Sequence, residues 1–214
     1  PSTHTTPNAI RINELLSQMV KEGCSYVFME VSSHALDQNR VSGLSFDIGV
    51  YTNISRDHMD YHPTLNDYIG AKKKLFNSLK NNAVAIVNFD DPYGEEMVRD
   101  IIAKPLSYGL KGDFDFKGKI VENNISGLSI EIDGFEMTSR LIGEFNAYNL
   151  LVVFAVAKSL GEEALTVLTI ISNLKAPDGR FEYIVSPSNV TAVIDYAHTP
   201  DALENVLKTL VSLK

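Results

Sequence analysis

One cysteine, Cys24, stands in 214 residues, which rules out an internal disulfide framework and fits a reducing compartment. No apolar run approaches the ~20 residues of a membrane span, and no signal peptide opens the sequence. Positive charge is in short supply. With 19 Lys and Arg against 27 Asp and Glu, the net charge of −8 argues against nonspecific binding to nucleic acid or to an anionic membrane. Repeats and low-complexity tracts are also absent. What remains, 44% hydrophobic and 21% charged, is the composition of an ordinary soluble globular protein, expected in the cytoplasm. The length allows one large domain, or one domain plus part of another. The chain starts at Pro1 without a methionine and stops inside an amphipathic helix, so a fragment of a longer protein is expected.

The pattern of elements is α/β. Thr6 and Pro7 read as the N-cap and first residue of a helix with Ile12, Leu15, Leu16 and Met19 on its buried stripe and Gly23 at its end. Residues 26–30, 48–53 and 83–88 are short apolar runs, as in strands buried on both faces of a parallel sheet. Between 117 and 142 the pattern turns to alternation. Leu128, Ile130 and Ile132 precede Asp133-Gly134, and Phe135 and Met137 follow it, which predicts a hairpin and a small antiparallel sheet beside the main one. Helices are predicted over 146–160 and 163–174. Residues 176–179 (APDG) break the pattern and are the expected linker. Beyond them, 191–195 reads as a strand, and Thr199-Pro200 opens a helix with Leu203, Val206, Leu207 and Leu210 on one face. That is a fresh strand-then-helix unit, so the expected division is 1–178 and 179–214.

The chemistry gathers around a lysine. Lys72 lies four residues after Tyr68 and three and four before Leu75 and Phe76, which puts it on the apolar face of a helix while Lys73 and Lys74 turn toward water. An amine held away from water has its pKa lowered. In the neutral form it is nucleophilic and can add CO2 to become a carbamate, a carboxylate-like metal ligand. The plainer alternative is a lysine laying its stem over the core. Context favours the former, because polar groups collect where two of the expected strands end. Glu30 closes YVFME, and Thr52-Asn53 closes the next run ahead of Arg56, Asp57, His58, Asp60 and His62. Open parallel sheets bind ligands outside the carboxyl ends of their strands. Glu30, His58 and a carbamylated Lys72 make a mixed O/N set suited to Mg2+ or Mn2+ working with phosphate. A zinc site on His58 and His62 is set aside, since no HExxH frame or cysteine partner accompanies them. A serine-hydrolase reading of Ser32-Ser33-His34 is weaker still without a G-x-S-x-G elbow, and His34 alone is better read as a backbone hydrogen-bonder.

The segments STHTTP, MEVSSHALDQNR, YTNISRDHMDYH, AKKKLF, GEFNAYNLL, GRFE and VIDYAHTPDALE occur here in the order seen in the Mur ligase family. Together they span essentially the whole chain, and they are most similar to the branch that adds the third residue of the peptidoglycan stem peptide. The resemblance implies a central ATPase-type domain followed by the start of a Rossmann-like C-terminal domain. It implies that His4, Thr5, Thr6, Ser32, Gln38 and Arg40 bind a UDP-MurNAc-dipeptide, the arginine through paired hydrogen bonds to carboxylate. Glu30 and His58 match magnesium ligands, and Lys72 matches the family's carbamylated lysine, so that Lys72 and His58 carry the catalysis. Asn146 and Asn149 match nucleotide-contacting asparagines, Arg180 an arginine near the ATP phosphates, and Asp195 an acid that reaches the ribose. Without the family, Asn149 reads as a helix cap and Arg180 as a solvated linker charge.

One family element is missing. No G-x-x-x-x-G-K-[ST] loop for the ATP phosphates occurs in these residues. In relatives that loop lies upstream of STHTTP, and the motif that recognises the incoming amino acid lies downstream. Meso-diaminopimelate and L-lysine are therefore both open as the acceptor. The activity implied is ATP- and Mg2+-dependent amide formation through an acyl phosphate. The alternatives are a folylpolyglutamate-type or other amino-acid ligase and, from a different class, a non-catalytic substrate-binding module.

Overall fold

Helix α1 (Ala9–Lys21) is the first element of the computed structural model, which describes residues 5–55, 59–188 and 190–213. Its N-cap is Asn8, whose side chain accepts from the Arg11 amide, and not Thr6 as the Thr-Pro pair suggested. Thr6 is committed elsewhere. Fully buried, its hydroxyl donates to the Glu30 carbonyl at 2.9 Å and accepts from the Ser32 amide at 3.0 Å. With Thr6 itself buried, giving up these two part-buried bonds would cost more than the ~1 kcal/mol a cap supplies, so the helix entry moves to Asn8. Gly23 does close the helix, at φ +83°.

Residues 26–30 were expected to be a strand and join no ladder. Tyr26, Val27 and Phe28 are 58%, 43% and 75% exposed. An apolar run expresses a demand for burial, but a strand also needs a neighbour whose N–H and C=O groups are free to pair. Among the described residues none pairs here.

The chain continues through α2 (Ser33–Asp37), β1 (Ile48–Tyr51), α3 (Leu65–Asn77), β2 (Val84–Asn88), α4 (Gly94–Val98), β3 (Lys104–Gly109), β4 (Phe116–Asn124), β5 (Gly127–Ile132) and β6 (Phe135–Ser139). Thr64 and Asp67 form a reciprocal capping box at the start of α3. The strands follow one another as β1-β2-β3-β4-β5-β6 in a single sheet. Strand β4 is its turning point, parallel to β3 and antiparallel to β5. The hairpin forms as expected. Asp133 and Gly134 both take positive φ, +52° and +80°, and Ile132 pairs with Phe135 across the two-residue turn. Leu128, Ile130 and Ile132 are wholly buried, while Phe135 points outward.

Helices α5 (Glu144–Ser159) and α6 (Ala164–Ser172) fill the stretches read as helical. Strands β7 (Glu182–Val185) and β8 (Thr191–Ile194) then make a separate antiparallel pair. Four residues, EYIV, gave too short a pattern to announce β7. Helix α7 (Pro200–Ser212) opens as the sequence predicted, with the Thr199 hydroxyl accepting from the Ala202 amide and Pro200 at its first turn.

Two compact units result, Pro1–Gly49 with His58–Ala85 and Glu95–Pro105, and Val50–Asp57 with Ile86–Gly94 and Leu106–Lys214. The core of the first includes Ile12, Leu36 and Val41 packed against Leu16, Phe46 and Leu75. In the second, Leu150, Leu151 and Phe154 of α5 are buried to 1% exposure or less, each contributing roughly 1.5–3 kcal/mol. Gly118 on β4 lets this layer close, since a Cβ there would sit 2.9 Å from Leu110 and 3.4 Å from Leu151. No helix among the described residues is long and apolar enough to cross a membrane.

Candidate functional site

In the first unit, the structure draws Thr6, Ser32, Gln38 and Arg40 into one hydrogen-bonded cluster. Thr6 bonds the backbone of Glu30 and Ser32 as described. Ser32 caps α2, its hydroxyl oxygen accepting from the Ala35 amide at 3.2 Å. Arg40 donates from Nη1 to the Thr6 carbonyl and from Nε to Gln38 Oε1, both at 2.9 Å. Gln38 in turn donates to the Tyr61 hydroxyl, which donates to Asp37, which also receives Lys74 at 2.7 Å. Lys74 and the Tyr61 hydroxyl hold the Asp37 carboxyl below its ordinary value. Thr5 is exposed at the edge of this cluster, and His4 lies outside the described residues.

The expected metal ligands are placed in part. His58 lies outside the described residues. The Glu30 carboxylate is exposed and takes no hydrogen bond or ion pair among the described residues, so it can meet a cation. Lys72 is half-buried on α3, its ammonium 5.0 Å from the centroid of the Tyr68 ring. Its neighbour departs from expectation. The Lys73 side chain is only 18% exposed and pairs with Glu96 at 2.7 Å, because α4 supplies a carboxylate on that side. Lys74 is half exposed, as the pattern required. No group of three His, Cys, Asp or Glu among the described residues is set to hold a metal, and the expected donor set includes a modified lysine and His58. Carboxylate, imidazole and carbamate together fit a hard divalent cation.

His62 is no metal candidate in this arrangement. It is 3% exposed and its Nε2 sits 2.9 Å from Ser33 Oγ, with the rings of His34, Tyr61 and Tyr68 packed around it. Ser33 is itself 1% exposed, so this Ser–His contact is closed to any acyl substrate.

The second unit holds a cleft of about 1180 Å³ that Asn146, Asn149, Arg180 and Asp195 all line. The four residues matched to nucleotide binding thus meet in one place. Asn149 is no helix cap. The cap of α5 is Gly143, at φ +98°, and Asn149 lies a turn further in, donating to Asn146 Oδ1 at 3.1 Å. Asn146 donates to the Ile142 carbonyl. Arg180 lays its guanidinium 5.1 Å from the centroid of the Tyr196 ring, which orients a charge that the sequence alone left loose in a linker. Asp195 accepts from the Phe181 amide at 2.8 Å and from the Ala197 amide at 2.7 Å, one on each oxygen. Each oxygen keeps a further lone pair for a ligand hydroxyl.

Sequence reasoning missed the far flank of this cleft. Asn88, Asp90, Tyr108 and Tyr148 also line it. Asp90 Oδ2 accepts from the Leu110 amide at 2.6 Å, the Lys111 amide at 3.1 Å and the Tyr148 hydroxyl at 2.9 Å. Gly109 permits this closeness, since a Cβ there would fall 2.7 Å from that oxygen. Burial, reinforced by Asp90, pushes the Tyr148 phenol well above its ordinary range. The signal was present in NFDD, which closes β2 at the carboxyl end where ligands bind.

Residues 1–157 match the family model of the Mur ligase middle domain. The chain belongs to this family. A Mur ligase relative from Cytophaga hutchinsonii, UDP-N-acetylmuramoyl-L-alanyl-D-glutamate–2,6-diaminopimelate ligase, is 50% identical over 213 residues, covering 100% of this chain and 44% of that protein. The ligase of the same name from Parabacteroides distasonis is 50% identical over 207 residues, 97% of this chain and 43% of that one. A solved structure of a UDP-N-acetylmuramoyl-L-alanyl-D-glutamate–2,6-diaminopimelate ligase superposes with a TM-score of 0.82 at 35% identity, covering 98% of this chain and 45% of its own. This Mur ligase chain therefore spans less than half the length of the relatives it matches.

Proposed function

We propose that this chain is the central part of an ATP-dependent ligase joining 2,6-diaminopimelate to UDP-MurNAc-L-Ala-D-Glu. The observation that carries the reading is identity of 50% across the whole chain to ligases of that name, and those names favour diaminopimelate over lysine as the acceptor. Meeting of Asn146, Asn149, Arg180 and Asp195 around one cleft supports a nucleotide there. Residues 1–178 are then the central ATP-binding and catalytic domain. The isolated β7–β8 pair supports 179–214 as linker and start of the amino-acid-binding domain.

In this reading the D-glutamate carboxylate attacks the γ-phosphate of ATP, forming an acyl phosphate and releasing ADP. The acceptor amine then adds to the acyl carbon, and the tetrahedral intermediate expels phosphate to leave the amide. Arg40 binds a carboxylate of the dipeptide, oriented by Gln38 and by the carbonyl of Thr6. Arg180 faces the phosphates and Asp195 the ribose, while Asn146 and Asn149 contact the nucleotide. Glu30, His58 and the carbamate of Lys72 would hold Mg2+, which when bound neutralises charge developing on the transferring phosphoryl group. The carbamate forms when the neutral Lys72 amine adds to CO2 and loses a proton. The reaction belongs in the cytoplasm, where a lone exposed thiol such as Cys24 stays reduced.

The experiment is ligation by the full-length protein, with diaminopimelate or lysine, ATP and the UDP-linked dipeptide. The expected result is a tripeptide product with diaminopimelate and stoichiometric ADP and phosphate. ATP-independent product, or none with either amino acid, would overturn the reading.

A further inference from the structure

The flank of the cleft built by Asp90 and Tyr148 has a chemistry that none of the matched residues explains. Three tyrosine hydroxyls stand at this end of the sheet, and each turns its proton inward. Tyr51 donates to Asp91 at 2.7 Å, Tyr108 to the Tyr51 carbonyl at 3.3 Å, and Tyr148 to Asp90 at 2.9 Å. A phenol that donates to a carboxylate has no proton left for a ligand, yet its oxygen keeps acceptor capacity. Asp90 is fixed in turn by the Leu110 and Lys111 amides, so the tyrosine cannot readily reverse its bond. The Lys111 ammonium is turned to Glu144, 3.2 Å away, and does not neutralise this flank.

Two consequences follow for a ligand. Adjacent carboxylates Asp90 and Asp91 repel a triphosphate, so the uncharged end of a nucleotide is the part that fits here. Tyr148 then offers that end an acceptor, which rewards a hydrogen-bond donor and penalises a carbonyl. We propose that Tyr148, held by Asp90, is the base-selecting residue of the cleft, its hydroxyl oxygen accepting from the exocyclic amino group of a 6-aminopurine. The inference rests on the nucleotide reading above and adds to it a discrimination between adenine and hypoxanthine, which replaces the amino group with a carbonyl.

The test is equilibrium calorimetry on the full-length protein with ATP and with inosine triphosphate, wild type beside Tyr148→Phe. The wild type is expected to bind ATP about tenfold more tightly than inosine triphosphate. Tyr148→Phe keeps the ring and is expected to reduce that ratio to about threefold or less, through weaker ATP binding. Equal wild-type affinities would overturn the selection while leaving a nucleotide site in place, as would an unchanged ratio in the variant. Binding of neither nucleotide would overturn the nucleotide reading itself, and the selection with it.

Discussion

Arg40 reaches back to place Nη1 2.9 Å from the carbonyl oxygen of Thr6, 34 residues away in sequence, while its Nε rests against Gln38. Only a planar fork of donors makes both contacts in one plane, and an ammonium cannot. In the full-length protein, Arg40→Lys is expected to raise KM for the UDP-linked dipeptide about tenfold, with a smaller effect on kcat. Steady-state kinetics at saturating ATP decides this, and an unchanged KM removes Arg40 from the substrate cluster.

Thr6 gives a stability prediction. Thr6→Val preserves shape but leaves the Glu30 carbonyl and the Ser32 amide without their shared hydroxyl, at a cost of about 2 kcal/mol. Thr6→Ser keeps the hydroxyl and is expected to cost less than about 1 kcal/mol. Urea unfolding of the two variants beside the wild type measures the difference. A loss in Thr6→Val no larger than that in Thr6→Ser would show that the hydroxyl contributes no more than the methyl, and would remove the shared hydrogen bonds as the reason Thr6 is buried here.

For Lys72, the informative variant is Lys72→Ala in the full-length enzyme, assayed with and without short carboxylic acids. Loss of activity that a small carboxylate restores is the outcome expected of a carbamate. Full activity without any addition would dispose of the modified lysine.

The chain alone, lacking a phosphate loop, is expected to fold and yet form no amide from ATP, with weak nucleotide binding by calorimetry. Product formation by these 214 residues would show that the loop is dispensable.

Acid sensitivity follows from three carboxylates. Asp37, beside Lys74 and Tyr61, lies below its ordinary 3.8, Glu96, beside Lys73, below 4.5, and Asp113, beside Lys117, below 3.8. Because the folded values are depressed, the stabilisation is present above the unfolded values and is lost as pH falls through the folded ones. Glu96→Gln is therefore expected to lower the melting temperature at neutral pH and to match the wild type in strong acid. A difference that persists at about pH 2 would assign the effect to packing.

Much of this was legible in the residues. The alternation around Asp133-Gly134 specified a hairpin because burial and turn chemistry both point to it there. The Lys72 face followed from helical spacing, and half-burial over Tyr68 matches it. What misled was local grammar where distant partners decide. Thr6 looked like a cap until the backbone of Glu30 and Ser32 claimed its hydroxyl, and Lys73 looked solvated until Glu96 arrived from α4. Tyr148 was invisible for another reason. It sits in a helix whose Leu150, Leu151, Phe154 and Ala155 are all buried, where an aromatic looks like more core.

The Asp133-Gly134 turn also bears on the order in which the sheet is assembled. Ile132 and Phe135 meet across two intervening residues, so closing β5 on β6 forfeits very little chain entropy. Strands β1 and β2 are separated by the whole of α3 and its flanking loops and must wait for a far longer closure. In kinetic terms the meander of β4, β5 and β6 is the natural seed. Its amides will be the first protected when refolding is followed by pulsed hydrogen exchange, and the parallel strands will add to an edge that already exists.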